Sequence, residues 1–153
     1  MPSHFETKVL PYTPEQMFNL VADVDKYKEF LPWCVASRIK SREGDDVFYA
    51  DLVIGYKMIR ERFSSKVFLD RPNTIHIEYL EGPLKHLSNE WRFIPECNGN
   101  CRIEFSVEFE FKNMFLRGLV NMFFNEVVKR MVAAFELRAK ELYSPVQSLK
   151  SKG

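Results

Sequence analysis

No stretch of this sequence is long and uncharged enough to cross a bilayer as a helix. Runs such as Phe30 to Ser37 fall far short of the roughly 20 apolar residues that a span needs. The opening MPSHFETKVLPYTPEQ lacks the basic and apolar regions of a signal peptide, and it is not an Arg/Ser-rich transit peptide. The expectation is a soluble, cytoplasmic protein whose contact with an inner membrane would be peripheral. Cysteine is scarce: Cys34, Cys97 and Cys101 cannot all pair within one chain, which favours a reducing compartment. Glycine is scarce too, at six residues, and no phosphate-cradling glycine loop occurs. HExxH and GxSxG are absent, and His4, His76 and His86 fall on separate elements, so hydrolytic and metal chemistry lack a motif. An excess of one charge is also missing, with 22 lysines and arginines against 21 aspartates and glutamates. That balance gives no global field to hold DNA, although a local basic patch could still meet RNA or lipid phosphates.

What is present is an ordinary globular composition, 46% hydrophobic and 28% charged, in a chain of 153 residues. We expect one domain over residues 1–143 and a flexible tail over 144–153. Fourteen phenylalanines exceed what a core of this size needs, a first sign of an apolar cavity or contact surface.

The order of elements follows from periodicity. His4 to Leu10 reads as a strand stopped by Pro11. Thr13 can cap a helix that has Pro14 at its first position and Gln16 closing a capping box. A second short helix, about Val24 to Phe30, ends before Pro32. Extended segments follow: from Cys34 onward, Val47 to Tyr56, Ile59 to Leu69, Thr74 to Leu80, Leu87 to Ile94, and a strand after the hairpin signal Asn98-Gly99. In that last strand Ile103, Phe105, Val107, Phe109 and Phe111 alternate with Glu104, Ser106, Glu108, Glu110 and Lys112, giving one dry and one wet face. Met114 to Tyr143 carries an apolar stripe at helical period, including Leu116, Val120, Phe124, Val128 and Phe135. The fold class is α+β: a curved antiparallel sheet of about seven strands around a long C-terminal helix, with two short helices after the first strand.

Cys97 and Cys101 flank a turn and lack a second ligand pair, so they read as hairpin cysteines rather than a zinc site. Cys34 has no basic partner nearby in sequence, and packing is its expected role. Glu104, Glu108 and Glu110 are expected to pair across strands with Arg60, Arg62 and Lys66; the alternative for those three cations is a basic stripe that meets headgroups or RNA. The long helix is apolar around most of its first half, because Phe115, Leu119 and Met122 fall outside its buried stripe. Either the short helices or a loop cover that extra face, or it borders a cavity or an apolar partner, with Lys112 and Arg117 suited to anionic headgroups. GPLKHL, Gly82 to Leu87, is either a plain turn or a mobile lid.

These segments carry a resemblance. PYTPEQMFNLVADVDKYKEFLPWC, LVIGYKMIRERFSSKV, GPLKHLSNEWRF and FFNEVVKRMVAAFELRAKELY together resemble a bacterial member of the ubiquinone (coenzyme Q)-binding START-domain family. That family lies in the helix-grip superfamily with polyketide cyclases and lipid carriers, and FLPWC after DVDKY is the most specific match. The resemblance implies a non-enzymatic carrier or chaperone of a polyprenyl quinone, with ubiquinone as ligand and no catalytic cofactor or metal. Leu31, Trp33, Tyr56, Trp91, Phe115, Leu119 and Phe123 would surround the cavity, with Lys85 and His86 in its lid. Arg60, Arg62, Lys66 and Met122 would form a membrane or partner surface. A related bacterial branch implies the alternative, a toxin that binds the large ribosomal subunit and blocks subunit association.

Overall fold

In the computed structural model, residues 3–56 and 58–143 are described, so the expected tail over 144–153 lies outside them. Among the described residues seven strands form: β1 (Ser3–Leu10), β2 (Cys34–Glu43), β3 (Val47–Tyr56), β4 (Ile59–Asp70), β5 (Thr74–Glu81), β6 (Leu84–Pro95) and β7 (Cys101–Phe111). They make one antiparallel sheet in the order β1-β7-β6-β5-β4-β3-β2. The last six are a meander, and β1 closes onto β7.

Helix α1 (Pro14–Ala22) starts as its sequence requires. The Gln16 N–H donates to Thr13 Oγ1 at 3.1 Å and the Thr13 N–H donates to Gln16 Oε1 at 3.0 Å, which satisfies donors that the first turn leaves unpaired. The second short helix is a 3-10 helix, Val24–Glu29, tied back by the Tyr27 hydroxyl donating to the Val21 carbonyl. Helix α2 (Met114–Leu142) is capped by Asn113, whose Oδ1 accepts from the N–H groups of Phe115 and Leu116 at 2.8 and 3.0 Å. The Asn98-Gly99 turn is wider than a two-residue hairpin. A 3-10 turn at Cys97–Gly99, with Asn98 and Gly99 at φ +62° and +78°, joins β6 to β7.

Strand order overturns the expected ion pairs. β5 and β6 separate β4 from β7, so Arg60, Arg62 and Lys66 cannot reach Glu104, Glu108 and Glu110. Glu104 meets Arg102 at 3.8 Å, Glu108 meets His86 at 3.6 Å, and Glu110 meets Arg117 at 3.1 Å. Lys66 instead lies over the rings of Tyr49 and Phe68.

The inner face of the sheet divides into two halves. Toward one end Phe48, Val67, Leu69, Ile75, Trp91, Phe93, Ile103 and Phe105 are buried beneath α1 and the second half of α2. Phe18 meets Phe93 edge-on at 5.6 Å, and Phe135 contacts Trp91, Tyr27 and Phe30 with ring centres 5.0, 5.3 and 5.4 Å apart. Farther along the same strands burial fades. Leu52, Ile54, Phe63, Ile77, Leu87, Val107, Phe109 and Phe111 point to the same face and are only half-buried. Leu84, at the far end, is buried yet detached from the main core. The sheet thus has a closed half and an open half.

Candidate functional site

The open half is an apolar surface facing the first half of α2. Phe124 reaches it, with its ring 5.2 Å from that of Phe109. Leu116, Leu119, Val120 and Val127 stay half-buried. Phe115 and Met122 are 71% and 75% exposed, so among the described residues neither the short helices nor a loop covers the extra apolar face of α2. The short helices pack on the other end: Glu29 accepts from Arg138 at 2.8 Å, and Tyr12 meets Tyr143. That hydrogen bond holds the Glu29 carboxyl below its ordinary value.

Between helix and sheet in the closed half, a small, partly open space lined by Leu10, Met17, Trp91, Phe105 and Phe135, and also by Lys8 and Glu136, has a volume of about 20 Å³, room for about one water. A broader, solvent-open depression of about 460 Å³ lies between Ser3 and Asn121–Glu126. A polyprenyl chain cannot enter the closed half as it stands. Any long apolar ligand would have to lie along the open half or spread the grip.

The candidate residues fall into distinct places. Trp91 is in the packed core, bordering the small space of about 20 Å³. Leu119 is half-buried on α2, Phe123 lines the solvent-open depression beside Ser3, and Tyr56 stands half-exposed at the end of β3. Leu31 is buried, and Trp33 is half-buried with its backbone at φ +66°, a strained conformation for so large a residue. Its carbonyl accepts the Gly55 N–H at 2.8 Å, which ties the FLPWC segment to the end of β3 beside the open half.

The lid expectation is corrected. β6 begins at Leu84, so Gly82-Pro83 is the whole connection, and Lys85 and His86 belong to a strand rather than to a movable loop. His86 points to the outer face, near Glu108. The strand starts early because the Tyr79 hydroxyl accepts the Leu84 N–H at 2.9 Å, and because Gly82 at φ +149° lets the chain turn where a Cβ would meet the Arg62 carbonyl at 2.8 Å.

Cys34 is buried, its thiol donates to the Ala36 carbonyl at 3.4 Å, and burial pushes its pKa up, the opposite of an activated nucleophile. Cys101 is fully buried and pushed up to about 12 by burial, whereas Cys97 is exposed. Among the described residues no group of three or more His, Cys, Asp or Glu side chains could hold a metal ion, and no helix is long and apolar enough to cross a membrane.

Sequence reasoning missed the polar groups set into the open half: Ser65 and Tyr79, which are cross-strand neighbours, and Asn89, whose Nδ2 donates to the Ser106 carbonyl at 2.8 Å. Strand parity alone could have found them. It also missed that Arg38 and Lys40 join Arg60, Arg62 and Lys66 on the outer face of β2 to β4, around the buried Asp51 that both approach at 3.8 Å.

A family model described as polyketide cyclase/dehydrase and lipid transport matches residues 10–136. The chain is 40% identical over 143 residues to "Coenzyme Q-binding protein COQ10 homolog B, mitochondrial" of Xenopus laevis, covering 90% of this chain but spanning only 58% of the frog protein. It is 36% identical over 146 residues to "Ribosome association toxin RatA" of Rickettsia prowazekii, covering 93% of this chain and 99% of that one. Among solved structures, an 18 kDa protein from Caulobacter crescentus matches at 38% identity and TM-score 0.74, over 93% of this chain and 98% of that one. The Zhui aromatase/cyclase from Streptomyces sp. R1128 superposes with TM-score 0.77 at 17% identity, over 91% and 93% of the two chains, a likeness of fold alone.

Proposed function

This chain belongs to the polyketide cyclase/dehydrase and lipid-transport family, and from that premise we propose that it is a non-enzymatic binder of a polyprenyl quinone, ubiquinone in the first instance, serving respiration as a quinone carrier or chaperone. One observation carries the reading: the inner face of the sheet stays half-exposed and apolar opposite a helix whose first half is apolar on most sides. Water is a poor solvent for both surfaces, and a ligand chain laid between them loses about 0.8 kcal/mol of hydration cost per CH2. A bilayer dissolves the same chain equally well, so selectivity must come from headgroup contacts, for which Ser65, Tyr79 and Asn89 supply hydroxyl and amide groups. The name of the frog relative supports the quinone as ligand.

The test is mass spectrometry of lipid extracted from protein purified without detergent, beside Leu119→Ser/Phe123→Ser. A stoichiometric polyprenyl quinone that the variant loses, at little cost in stability, is expected. A protein that carries no lipid and takes up no added ubiquinone would refute the reading.

A second reading rests on the outer face. Arg38, Lys40, Arg60, Arg62 and Lys66 supply a basic strip of the kind that meets RNA phosphates, and the name of the rickettsial relative points to the ribosome. It predicts cosedimentation with large ribosomal subunits that weakens as salt rises and is lost in Arg60→Glu/Arg62→Glu. Absence of the protein from subunit fractions at low salt would dispose of it.

A further inference from the structure

The open end of the grip carries protruding apolar side chains. Met58, in the tight connection between β3 and β4, is 96% exposed, and Met114, at the start of α2, is 79% exposed. Phe115 follows it, exposed as well. Strand register puts these residues at one end of the molecule. The β3–β4 turn, the Gly82-Pro83 turn and the end of β7 all lie at the same edge of the meander, and the Lys112 N–H donates to the Pro83 carbonyl at 2.9 Å. Arg60, Lys85 and Lys112 are exposed around this end, against exposed Glu81 and half-buried Glu61. Arg117, a cation expected to serve there, is instead held by Glu110 and the Phe111 carbonyl.

We propose that this end is a docking surface for an anionic lipid bilayer, with Met58, Met114 and Phe115 entering the acyl boundary and Arg60, Lys85 and Lys112 meeting lipid phosphates. The inference rests on the quinone reading for its purpose, because a surface continuous with the open half lets a lipid tail pass from bilayer to protein without crossing water. A second copy of the chain is a poorer occupant, since a symmetric contact would set these cations against one another. RNA is poorer too: methionines standing free in water add nothing to phosphate recognition.

The experiment is flotation of the full chain with phosphatidylcholine vesicles and with vesicles that also contain phosphatidylglycerol. Wild-type protein should float with the anionic vesicles and weaken as salt rises. Met58→Ser/Met114→Ser should bind about tenfold more weakly or worse, while Met58→Leu/Met114→Leu binds like wild type. Lys85→Glu/Lys112→Glu should lose at least about fivefold. All of these positions are exposed, so circular dichroism should report an unchanged fold. Failure of the wild type to float, or flotation unaffected by the serine pair, would overturn the proposal. So would loss of a dimer, or of ribosome cosedimentation, in that pair. Retention of a short-chain, water-soluble quinone without vesicles separates the two ideas, because it depends on Leu119 and Phe123 and not on Met58 or Met114.

Discussion

Two phenylalanines on one helix should answer truncation in opposite ways. Phe135 is 6% exposed and touches three aromatic rings at 5.0 to 5.4 Å, beside a space of only about 20 Å³. Phe135→Ala removes the transfer energy of the ring and leaves a void in a region already closely filled, for a loss of about 3–5 kcal/mol. For a domain of this length that lowers Tm by about 6 to 20 °C. Phe123 is 46% exposed and lines the solvent-open depression beside Ser3, so Phe123→Ala forfeits about 1 kcal/mol or less. Urea titration with the slope compared between variants measures both, and quinone retention is read on the same samples. Phe123→Ala should weaken retention at nearly full stability. Equal losses at the two positions, or a loss at Phe135 below about 1 kcal/mol, would refute the division into a closed and an open half.

Three further outcomes follow from the same geometry. Native protein should present one promptly reactive thiol, Cys97, and denatured protein three; Cys34→Ser should leave quinone retention largely intact, and a large loss at unchanged stability would show that Cys34 acts on the ligand. The Cys101 thiol keeps its proton in the folded chain to about 12 against an ordinary 9.0, so its contribution to stability is complete below 9.0 and is lost as pH rises toward 12. Urea midpoints of wild type and Cys101→Ala should therefore converge across that window, and parallel pH profiles would contradict the burial of the thiol. Gly82→Ala should cost about 1–3 kcal/mol, because the new Cβ would sit against the Arg62 carbonyl at positive φ; calorimetry showing no loss would mean that the turn relaxes freely.

Much of the architecture is readable in one dimension. The capping box at Thr13, the alternation from Ile103 to Phe111 and the helical stripe of the last segment are local patterns, and each formed the element it predicts. The uncovered apolar face of α2 was also visible, as Phe115 and Met122 outside the buried stripe, because 100° per residue is a property of the helix itself. Pairing partners were not readable. Glu104 and Arg62 look complementary along the chain, yet two strands stand between them, and nothing local encodes strand order. The supposed lid failed for a related reason: one hydrogen bond from Leu84 to Tyr79 recruits Lys85 and His86 into β6.

Composition and periodicity by themselves therefore determined the element types, the single sheet and the dry face that a long helix must cover. Only the tertiary structure decided how far along that face the helix reaches. Burial along β3, β5, β6 and β7 fades from full to half with no change in side-chain type, because it depends on where α2 and α1 come to rest and not on the strands that they cover.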